Sequence, residues 1–187
     1  MQIEATDIPE VKLITPRRFG DARGWFSETW NAANLKAAGI DHDFVQDNHS
    51  LSAAIYTLRG LHYQAPPFAQ TKLVRVARGR VLDVAVDVRP GSATYRKWVA
   101  VELSAAVGEQ LLVPRGFLHG FLTLEPNTEV LYKVDAYYSA AADGAVRFDD
   151  PDIAVDWGVA HGSVQLSDKD AAAPLLKDWT NPFGAVA

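Results

Sequence analysis

The sequence of 187 residues contains no cysteine and a single methionine. The absence of cysteine excludes a disulfide framework, thiolate metal sites and cysteine nucleophiles, and it fits a reducing cytoplasm. The first ten residues have no basic cluster leading into an apolar run, and no long apolar run follows, so we expect a cytoplasmic protein without a membrane partner. The net charge of -5 disfavours a nucleic-acid-binding protein and favours a small anionic ligand at a local basic site.

The composition is that of a globular protein, with 48% hydrophobic and 22% charged residues. A chain of this length is large enough to enclose a hydrophobic core as one unit. We find no internal repeat and no low-complexity segment. The sequence therefore predicts a single domain over residues 1–187.

Alternation of apolar and polar residues is the dominant pattern. Residues 71–88 show two such runs separated by Gly79, which predicts a β-hairpin. Further β-rich runs cover residues 97–103, 110–113, 120–124 and 129–134. Strands this short and this evenly spaced predict an all-β sandwich or barrel.

Helix is predicted only in short pieces. An Ala-rich stretch at 31–38 ends at Gly39, and a helical turn is predicted near 168–176. We expect a C-terminal tail, about residues 171–187, that docks loosely on the rest of the domain or frays.

Polar residues on apolar strand faces suggest the chemistry. His62 follows Arg59 closely, and Lys72 begins the next strand, where it shares a face with two valines. Tyr132 lies on an apolar face in the same way. An imidazole between two cations is suited to removing a proton from a carbon next to a carbonyl, which favours an isomerase over a hydrolase.

Each of these residues also has a purely structural interpretation. Lys72 can extend to water from a strand end, and His62, His119 and Tyr132 can be hydrogen-bonded core residues. Asp170 alone is typical of a helix cap or a solvated acid. His62 and His119 could instead bind a metal, but the position two residues after His62 is Gln64, so the usual pair of histidines is missing.

Eight segments resemble the dTDP-4-dehydrorhamnose 3,5-epimerase family in order and in spacing. They are FGDARGWFSETW (19–30), FVQDNHS (44–50), LRGLHYQ (58–64), KLVRV (72–76), DVAVDVR (83–89), VPRGFLHGF (113–121), LYKVDAYY (131–138) and LSDKD (166–170). The resemblance covers nearly the whole chain, so it carries far more weight than one short motif.

The resemblance implies a cupin-like jelly roll with a few short helices, active as a homodimer without metal or organic cofactor. It implies inversion of dTDP-4-dehydro-6-deoxyglucose at C3 and C5, which gives dTDP-4-dehydrorhamnose for deoxysugar and surface-polysaccharide synthesis.

The family's catalytic residues match positions of this sequence one by one. His62 matches the base that removes the proton, and Asp170 matches the acid that orients it. Tyr132 matches the proton donor, and Lys72 matches the cation near the 4-keto oxygen.

The family's binding residues can be carried over in the same way. Arg59 and His119 match sugar or phosphate contacts, and Tyr138 matches the aromatic residue that stacks on thymine. The other matching positions are Arg23, Glu28, Gln46, Asp47, Asn48, Asp143 and Lys169. In the family some N-terminal contacts cross the dimer, so we expect about residues 1–50 to contribute to the partner's site.

Two positions depart from the family pattern. Thr71 stands where glycine is expected before the Lys72 strand, and Asp143 stands where glutamate is usual. We expect the shorter carboxylate to lose one substrate contact, whereas the matched catalytic residues are unchanged.

The sequence is also compatible with two other functions. A mono-epimerase acting at C3 or C5 only would keep the same base and acid. A metal-dependent or ligand-binding cupin would use the histidines differently, and metal bound by His62 and His119 would favour that alternative.

Overall fold

The structure is a computed structural model, and it describes residues 1–184. Within that range most regular structure is β-strand. The strands are β1 (Gln2–Ala5), β2 (Lys12–Thr15), β3 (Arg18–Asp21), β4 (Gly24–Ser27), β5 (Gln46–Ser52), β6 (Leu58–Gln64), β7 (Lys72–Arg78), β8 (Arg80–Asp87), β9 (Trp98–Ser104), β10 (Gln110–Val113), β11 (Phe117–Thr123), β12 (Thr128–Val134) and β13 (Asp143–Ala145). The helices are α1 (Ala32–Ala37), α2 (Asp168–Ala171) and two 3-10 turns, His161–Ser163 and Leu176–Asp178.

Two antiparallel sheets form the body of the domain. The first sheet has the strand order β1-β2-β10-β7-β12-β5, and the second has the order β13-β6-β11-β8-β9. Strands β3 and β4 form a separate two-stranded hairpin. The all-β fold predicted from the alternation, with only short helices, is confirmed.

The space between the two sheets is filled with apolar side chains over much of its length. Val74 and Val130 come from the first sheet, and Ala85 and Phe121 come from the second, and all four belong to one buried cluster. Lys72 precedes Val74 on the same face of β7. The interior is therefore apolar along much of β7 and becomes polar at the Lys72 end.

The outer faces of the sheets are covered by the helical and C-terminal segments. Leu35 of α1 packs on the first sheet, and Trp157 and Leu176 pack on the second. Trp179 donates a hydrogen bond from Nε1 to the hydroxyl of Tyr63 on β6, at 2.8 Å. The expectation of a loosely docked tail is therefore wrong for residues 171–184, while residues 185–187 lie outside the described part.

Helix α1 forms where the sequence predicts it. Asn31 caps its start by accepting the backbone N–H of Asn34 at 3.2 Å, and Gly39 follows its end with a φ of +82°. No helix within residues 1–184 is long and apolar enough to cross a membrane.

The predicted hairpin at Gly79 is wrong. Strand β7 pairs with β10 and β12, whereas β8 pairs with β9 and β11, so the two consecutive strands belong to different sheets. Alternation shows which residues form a strand, but it does not identify the neighbouring strand. The turn at Gly79 carries the chain from one sheet to the other.

A β-bulge in β6 positions two of the candidate site residues. His62 pairs with His119 and Arg59 pairs with Phe121, so two residues of β6 lie opposite the single Gly120 of β11. In a regular strand, residues three apart point to opposite faces. The extra residue turns both Arg59 and His62 toward the interior.

This bulge requires glycine on both strands. Gly60 has a φ of +135°, and a Cβ at this position would lie 2.6 Å from the Cα of Gly120. A Cβ on Gly120 would lie 2.9 Å from the carbonyl oxygen of Arg59. Neither contact can be relieved by a flexible side chain, because both involve backbone atoms.

We predict that Gly60→Ala lowers the free energy of unfolding by about 2–4 kcal/mol, because it combines an unfavourable φ with a backbone clash. Urea denaturation measures the change. Gly162→Ala is the matched control, since a Cβ there meets no atom within 4 Å and it should leave stability nearly unchanged. Equal stability of the two variants would contradict the structural role given to the bulge.

Candidate active site

A polar cavity of about 310 Å³ opens between the two sheets at the Lys72 end. Its lining residues are Gln46, Asn48, His62, Tyr63, Gln64, Gln70, Lys72, Tyr132, Tyr138 and Asp143. His62 comes from β6 of the second sheet, whereas Lys72 and Tyr132 come from β7 and β12 of the first. The predicted imidazole, ammonium and phenol therefore line the same hollow.

His62 is held by Asp170. The Nε2 atom of His62 lies 2.5 Å from Oδ1 of Asp170, whose side chain is almost fully buried. With Nε2 donating to a carboxylate, the other ring nitrogen, Nδ1, is the atom free to accept a proton. The structure thus replaces the solvated-acid interpretation of Asp170 with a buried partner of the histidine.

Asp170 remains a carboxylate despite its burial. Burial by itself raises the pKa of Asp170, but hydrogen bonds from His62, Ser167 and the Gly60 backbone outweigh it, so the net shift of the pKa is downward. Ser167 also caps α2 by accepting the backbone N–H of Asp170 at 3.1 Å. An ionised Asp170 stabilises the imidazolium that forms when His62 takes a proton.

Burial shifts the pKa values of Tyr132 and Lys72 in opposite directions. Burial raises the pKa of Tyr132 above its usual value, so its hydroxyl keeps its proton at neutral pH. Burial lowers the pKa of Lys72 to about 8, although Asp83 and Asp143 partly offset this effect. Near neutral pH the cavity therefore combines a phenol that can donate a proton with an ammonium ion that an anion would stabilise.

A second histidine–aspartate pair lies behind the cavity. His119 Nε2 is 2.9 Å from Oδ1 of Asp83, and both side chains are buried. Burial lowers the pKa of His119, which favours its neutral form. The other carboxylate oxygen of Asp83, Oδ2, has no hydrogen-bond partner among the described residues.

Asp83 was not predicted as an individual site residue. It lies between Val81 and Ala85 on the interior face of β8, so a carboxylate on an apolar strand face was the available signal. We infer no separate catalytic step for it, because its visible contact is with His119.

A second, more open cavity of about 440 Å³ adjoins the first at His62. Arg59, Lys169 and Asp170 line it, and Arg59 donates to Ser52 Oγ at 3.2 Å and to the Leu51 carbonyl at 3.1 Å. The two cations would attract an anionic group next to the proton-accepting histidine. His62 lines both cavities, so the anionic group and the reacting carbon could lie on either side of its ring.

Asp143 links the two cavities. Its carboxylate accepts a hydrogen bond from the Tyr138 hydroxyl at 3.2 Å and forms a salt bridge with Lys169. Asp143, where glutamate was expected from the resemblance, is therefore bound to two other candidate residues. The other departure, Thr71, is buried, and its backbone N–H donates to Asp135 at 2.7 Å.

Gln46 and Asn48 lie on the cavity face of β5, joined by a hydrogen bond of 2.8 Å. Asp47 points to the other face, because side chains alternate along a strand, and it pairs with Lys133 at 3.0 Å. Asp47 therefore does not line the cavity that Gln46 and Asn48 line.

Arg23 and Glu28 also lie apart from the cavity. Arg23 is at the tip of the β3–β4 hairpin and pairs with Asp21, while Glu28 accepts hydrogen bonds from Asn31 and Asn34 near α1. Within one chain, neither residue lines the two cavities around His62.

The described residues contain no group of three or more histidine, aspartate or glutamate side chains arranged to hold a metal ion. Gln64, at the position where a second histidine would be expected in a metal site, instead hydrogen-bonds backbone groups. The metal-dependent alternative therefore has no candidate ligand set in residues 1–184.

A family model described as dTDP-4-dehydrorhamnose 3,5-epimerase matches residues 5–178. The chain belongs to this family. The curated dTDP-4-dehydrorhamnose 3,5-epimerase of Sinorhizobium fredii is 53% identical over 176 residues, which cover 94% of the chain and 90% of the relative. The family and the isomerase class predicted from the sequence are confirmed.

Solved structures show the same fold. A dTDP-4-dehydrorhamnose 3,5-epimerase from Bacillus anthracis, with TDP and PPi bound, is 50% identical with a TM-score of 0.90, covering 94% of this chain and 99% of that one. An epimerase from Legionella pneumophila in complex with dTDP-4-keto-L-rhamnose is 42% identical with a TM-score of 0.94, covering 100% and 98%. The predicted cupin-like jelly roll is confirmed.

We predict that Lys72→Met stabilises the ligand-free protein by about 1–3 kcal/mol at pH 7, because it removes a charge that burial disfavours. The unfolded-state pKa of lysine is about 10.4, above the folded value of about 8, so the unfolded state binds more protons between these pH values. The contribution of Lys72 to the free energy of unfolding of the wild type therefore rises as the pH rises from about 8 to about 10.4. The stability difference between Lys72→Met and the wild type should shrink over the same range.

Urea denaturation of both proteins at pH 7 and pH 9.5 measures this difference. Other titrating groups cancel when the two proteins are compared at the same pH. A wild type more stable than Lys72→Met at pH 7 would contradict the unfavourable burial of the ammonium.

Proposed function

We propose that the protein inverts C3 and C5 of dTDP-4-dehydro-6-deoxy-D-glucose to give dTDP-4-dehydro-L-rhamnose. Family membership supports the reaction, and the Legionella relative bound to dTDP-4-keto-L-rhamnose supports the ligand class. The observation that carries the proposal is the shared cavity. His62 and Tyr132 line it from facing sheets, and the buried Asp170 pairs with His62.

The first half of the reaction is proton abstraction. C3 and C5 both neighbour the C4 ketone, so loss of the proton from either carbon moves the C–H electron pair into an enolate. In the proposal, Nδ1 of His62 takes the proton and Asp170 stabilises the imidazolium. The ammonium of Lys72 stabilises the negative charge that develops on the C4 oxygen.

The second half is protonation from the other side. Tyr132 gives its hydroxyl proton to the same carbon on the face opposite His62, which inverts the configuration. The raised pKa of Tyr132 keeps this proton available until the enolate forms. Exchange with solvent then resets both groups, so each inversion is balanced without an oxidant or another co-reactant.

The remaining site residues are assigned to binding. Arg59 and Lys169 are proposed to contact the sugar and diphosphate, and Tyr138 is proposed to stack on the thymine. His119 lies behind the cavity near Lys72 and His62, and it is proposed to contact the sugar from that side. Gln46, Asn48 and Asp143 line the same cavity as Tyr138 and His62, and they are proposed to contact the ligand there. We place the reaction in cytoplasmic deoxysugar and surface-polysaccharide synthesis, and we propose that it uses no metal or organic cofactor.

We predict that the wild-type protein, incubated with substrate in deuterium oxide, incorporates solvent deuterium at both C3 and C5 of the 4-keto sugar. Two inversions each replace a carbon-bound proton with one from solvent. Nuclear magnetic resonance of the product locates the label. Label at one carbon would favour a mono-epimerase, and absence of exchange and inversion would refute the proposed function.

Variants of His62 and Tyr132 should lose different parts of the reaction. His62→Asn should lose exchange and inversion together, by about 10²–10⁴ in kcat, because the abstracting base is gone. Tyr132→Phe should keep solvent exchange through His62 but lose inversion, because the opposite face has no donor. Equal loss of exchange in both variants would contradict these separate roles.

We also propose a homodimer in which the β3–β4 hairpin of one protomer reaches the partner's cavity. Trp25 and Phe26 on β4 are 59% and 70% exposed, an unusual extent for large apolar side chains. The hairpin also carries Arg23, whereas Glu28 follows β4. This arrangement explains how residues remote from the cavity within one chain can contact the substrate.

The dimer proposal predicts complementation between two impaired variants. Arg23→Ala and His62→Asn should each be nearly inactive below the KM, but their mixed dimers contain one site with both residues intact. Random exchange of subunits should restore about a quarter of wild-type activity. Each variant exchanged with itself is the control, and verified mixed dimers without recovered activity would contradict a shared site.

A further inference from the structure

The segment that carries Tyr138 lies at the rim of the cavity, beyond the end of β12. Tyr138 is 59% exposed as a residue, and the neighbouring Tyr137 is exposed as well. A fixed backbone lowers the conformational entropy that is lost when a ligand stacks on an exposed aromatic ring. The hydrogen bonds of this segment therefore bear on ligand binding.

Gln64 binds the backbone on both sides of Tyr138. Its Nε2 donates to the Tyr137 carbonyl at 3.3 Å, and its Oε1 accepts the N–H of Ser139 at 2.7 Å. The same Nε2 donates to the Phe68 carbonyl at 2.7 Å, which ties a second turn to the same amide. The side chain is buried, with 5% of the residue exposed.

The orientation of this amide follows from its partners. Two carbonyl groups accept from one end, and one backbone N–H donates to the other, so exchanging oxygen and nitrogen would break all three contacts. A carboxylate would place oxygen against two carbonyl oxygens. An apolar side chain would leave three backbone groups without these partners, which disfavours the present loop conformation.

A second glutamine holds the residue between those two contacts. The Oε1 atom of Gln46 accepts the N–H of Tyr138 at 3.0 Å, and its Nε2 donates to Asn48. Two side-chain amides thus bind three consecutive residues of the segment. Gln46 faces the cavity directly, whereas the amide of Gln64 is used by the backbone contacts.

We propose that Gln64 is a positioning residue that sets the affinity for the nucleotide through Tyr138 and takes no part in proton transfer. The inference rests on the proposed function, in which Tyr138 stacks on the thymine. Gln64 lies two residues after His62 on the same strand face, so closeness in sequence alone would place it in the chemistry. Its three backbone contacts instead assign it to the loop.

The test compares Gln64→Glu and Gln64→Leu with the wild type in steady-state kinetics and in direct titration with thymidine diphosphate. Both variants should raise the KM and the Kd for thymidine diphosphate on the order of tenfold, because lost hydrogen bonds free the loop. The kcat at saturating substrate should change by less than about threefold. A fall in kcat with an unchanged KM would overturn the proposal.

The pH dependence of the two variants separates the amide's role from a general packing defect. A glutamate facing two carbonyls has its charged form disfavoured, and protonation gives it one donor again. The KM of Gln64→Glu should therefore fall toward the wild-type value between pH 8 and pH 6, relative to wild type at each pH. Gln64→Leu should show no such recovery, and recovery of both or neither would count against the proposal.

Asn181→Asp is the matched control. The amide of Asn181 also donates to a backbone carbonyl, that of Val88 at 2.7 Å, and accepts a backbone N–H, that of Phe183 at 2.9 Å. This residue lies outside the two cavities around His62, so its conversion to an acid should leave KM and kcat unchanged. A KM increase equal to that of Gln64→Glu would show a general effect of weakened folding.

A double-mutant cycle with Tyr138→Ala tests whether Gln64 acts through that ring. If it does, Gln64→Glu should raise the Kd for thymidine diphosphate much less in the Tyr138→Ala background than in the wild type. Fully additive effects would overturn the inference. Turnover by the wild-type protein tests the proposed function separately. If the wild type is active and the Gln64 variants have the wild-type KM and Kd, only the inference about Gln64 is wrong.

Discussion

The close approach of Gly60 and Gly120 determines where the candidate active site can form. These residues let β6 gain one residue relative to β11, so Arg59 and His62 both face the interior although they are three positions apart. The backbone N–H of Gly60 also supports the charge of Asp170. One local backbone irregularity therefore places the histidine, its cationic neighbour and part of the carboxylate's environment.

Pairs of histidine and aspartate stabilise the polar end of the interior. His62 and His119 each contact a buried aspartate, and these pairs reduce the unfavourable effect of placing polar groups between two sheets. Burial of the Lys72 ammonium is unfavourable, as its lowered pKa indicates. Its position makes sense for a protein whose ligand develops negative charge there, because a preorganised cation needs no rearrangement during reaction.

Paired strands position the proposed proton-transfer residues, whereas a hydrogen-bonded loop positions the proposed nucleotide-binding residue. His62, Lys72 and Tyr132 stand on paired strands of two sheets, where neighbouring strands fix their directions. Tyr138 stands on a segment after β12 whose backbone is held by glutamine side chains. Proton transfer needs fixed distances, whereas an exposed aromatic ring needs only a stable orientation, and the two kinds of support correspond to these different requirements.

Sequence alone determined the approximate positions of strands β7 to β12, the short helix after Asn31 and the polar residues on apolar faces, because these features depend on local periodicity and capping. Strand β13 and the strands before β7 were not predicted from alternation. The resemblance of eight segments further identified the family and its matching residues. Tertiary structure decided the features that depend on contacts between distant segments. It placed β7 and β8 in different sheets, brought Asp170 to His62 and Asp83 to His119, and left Asp47, Arg23 and Glu28 away from the cavity. Alternation specifies a side of a strand but not the strand or chain that faces it, which is the physical reason for this division.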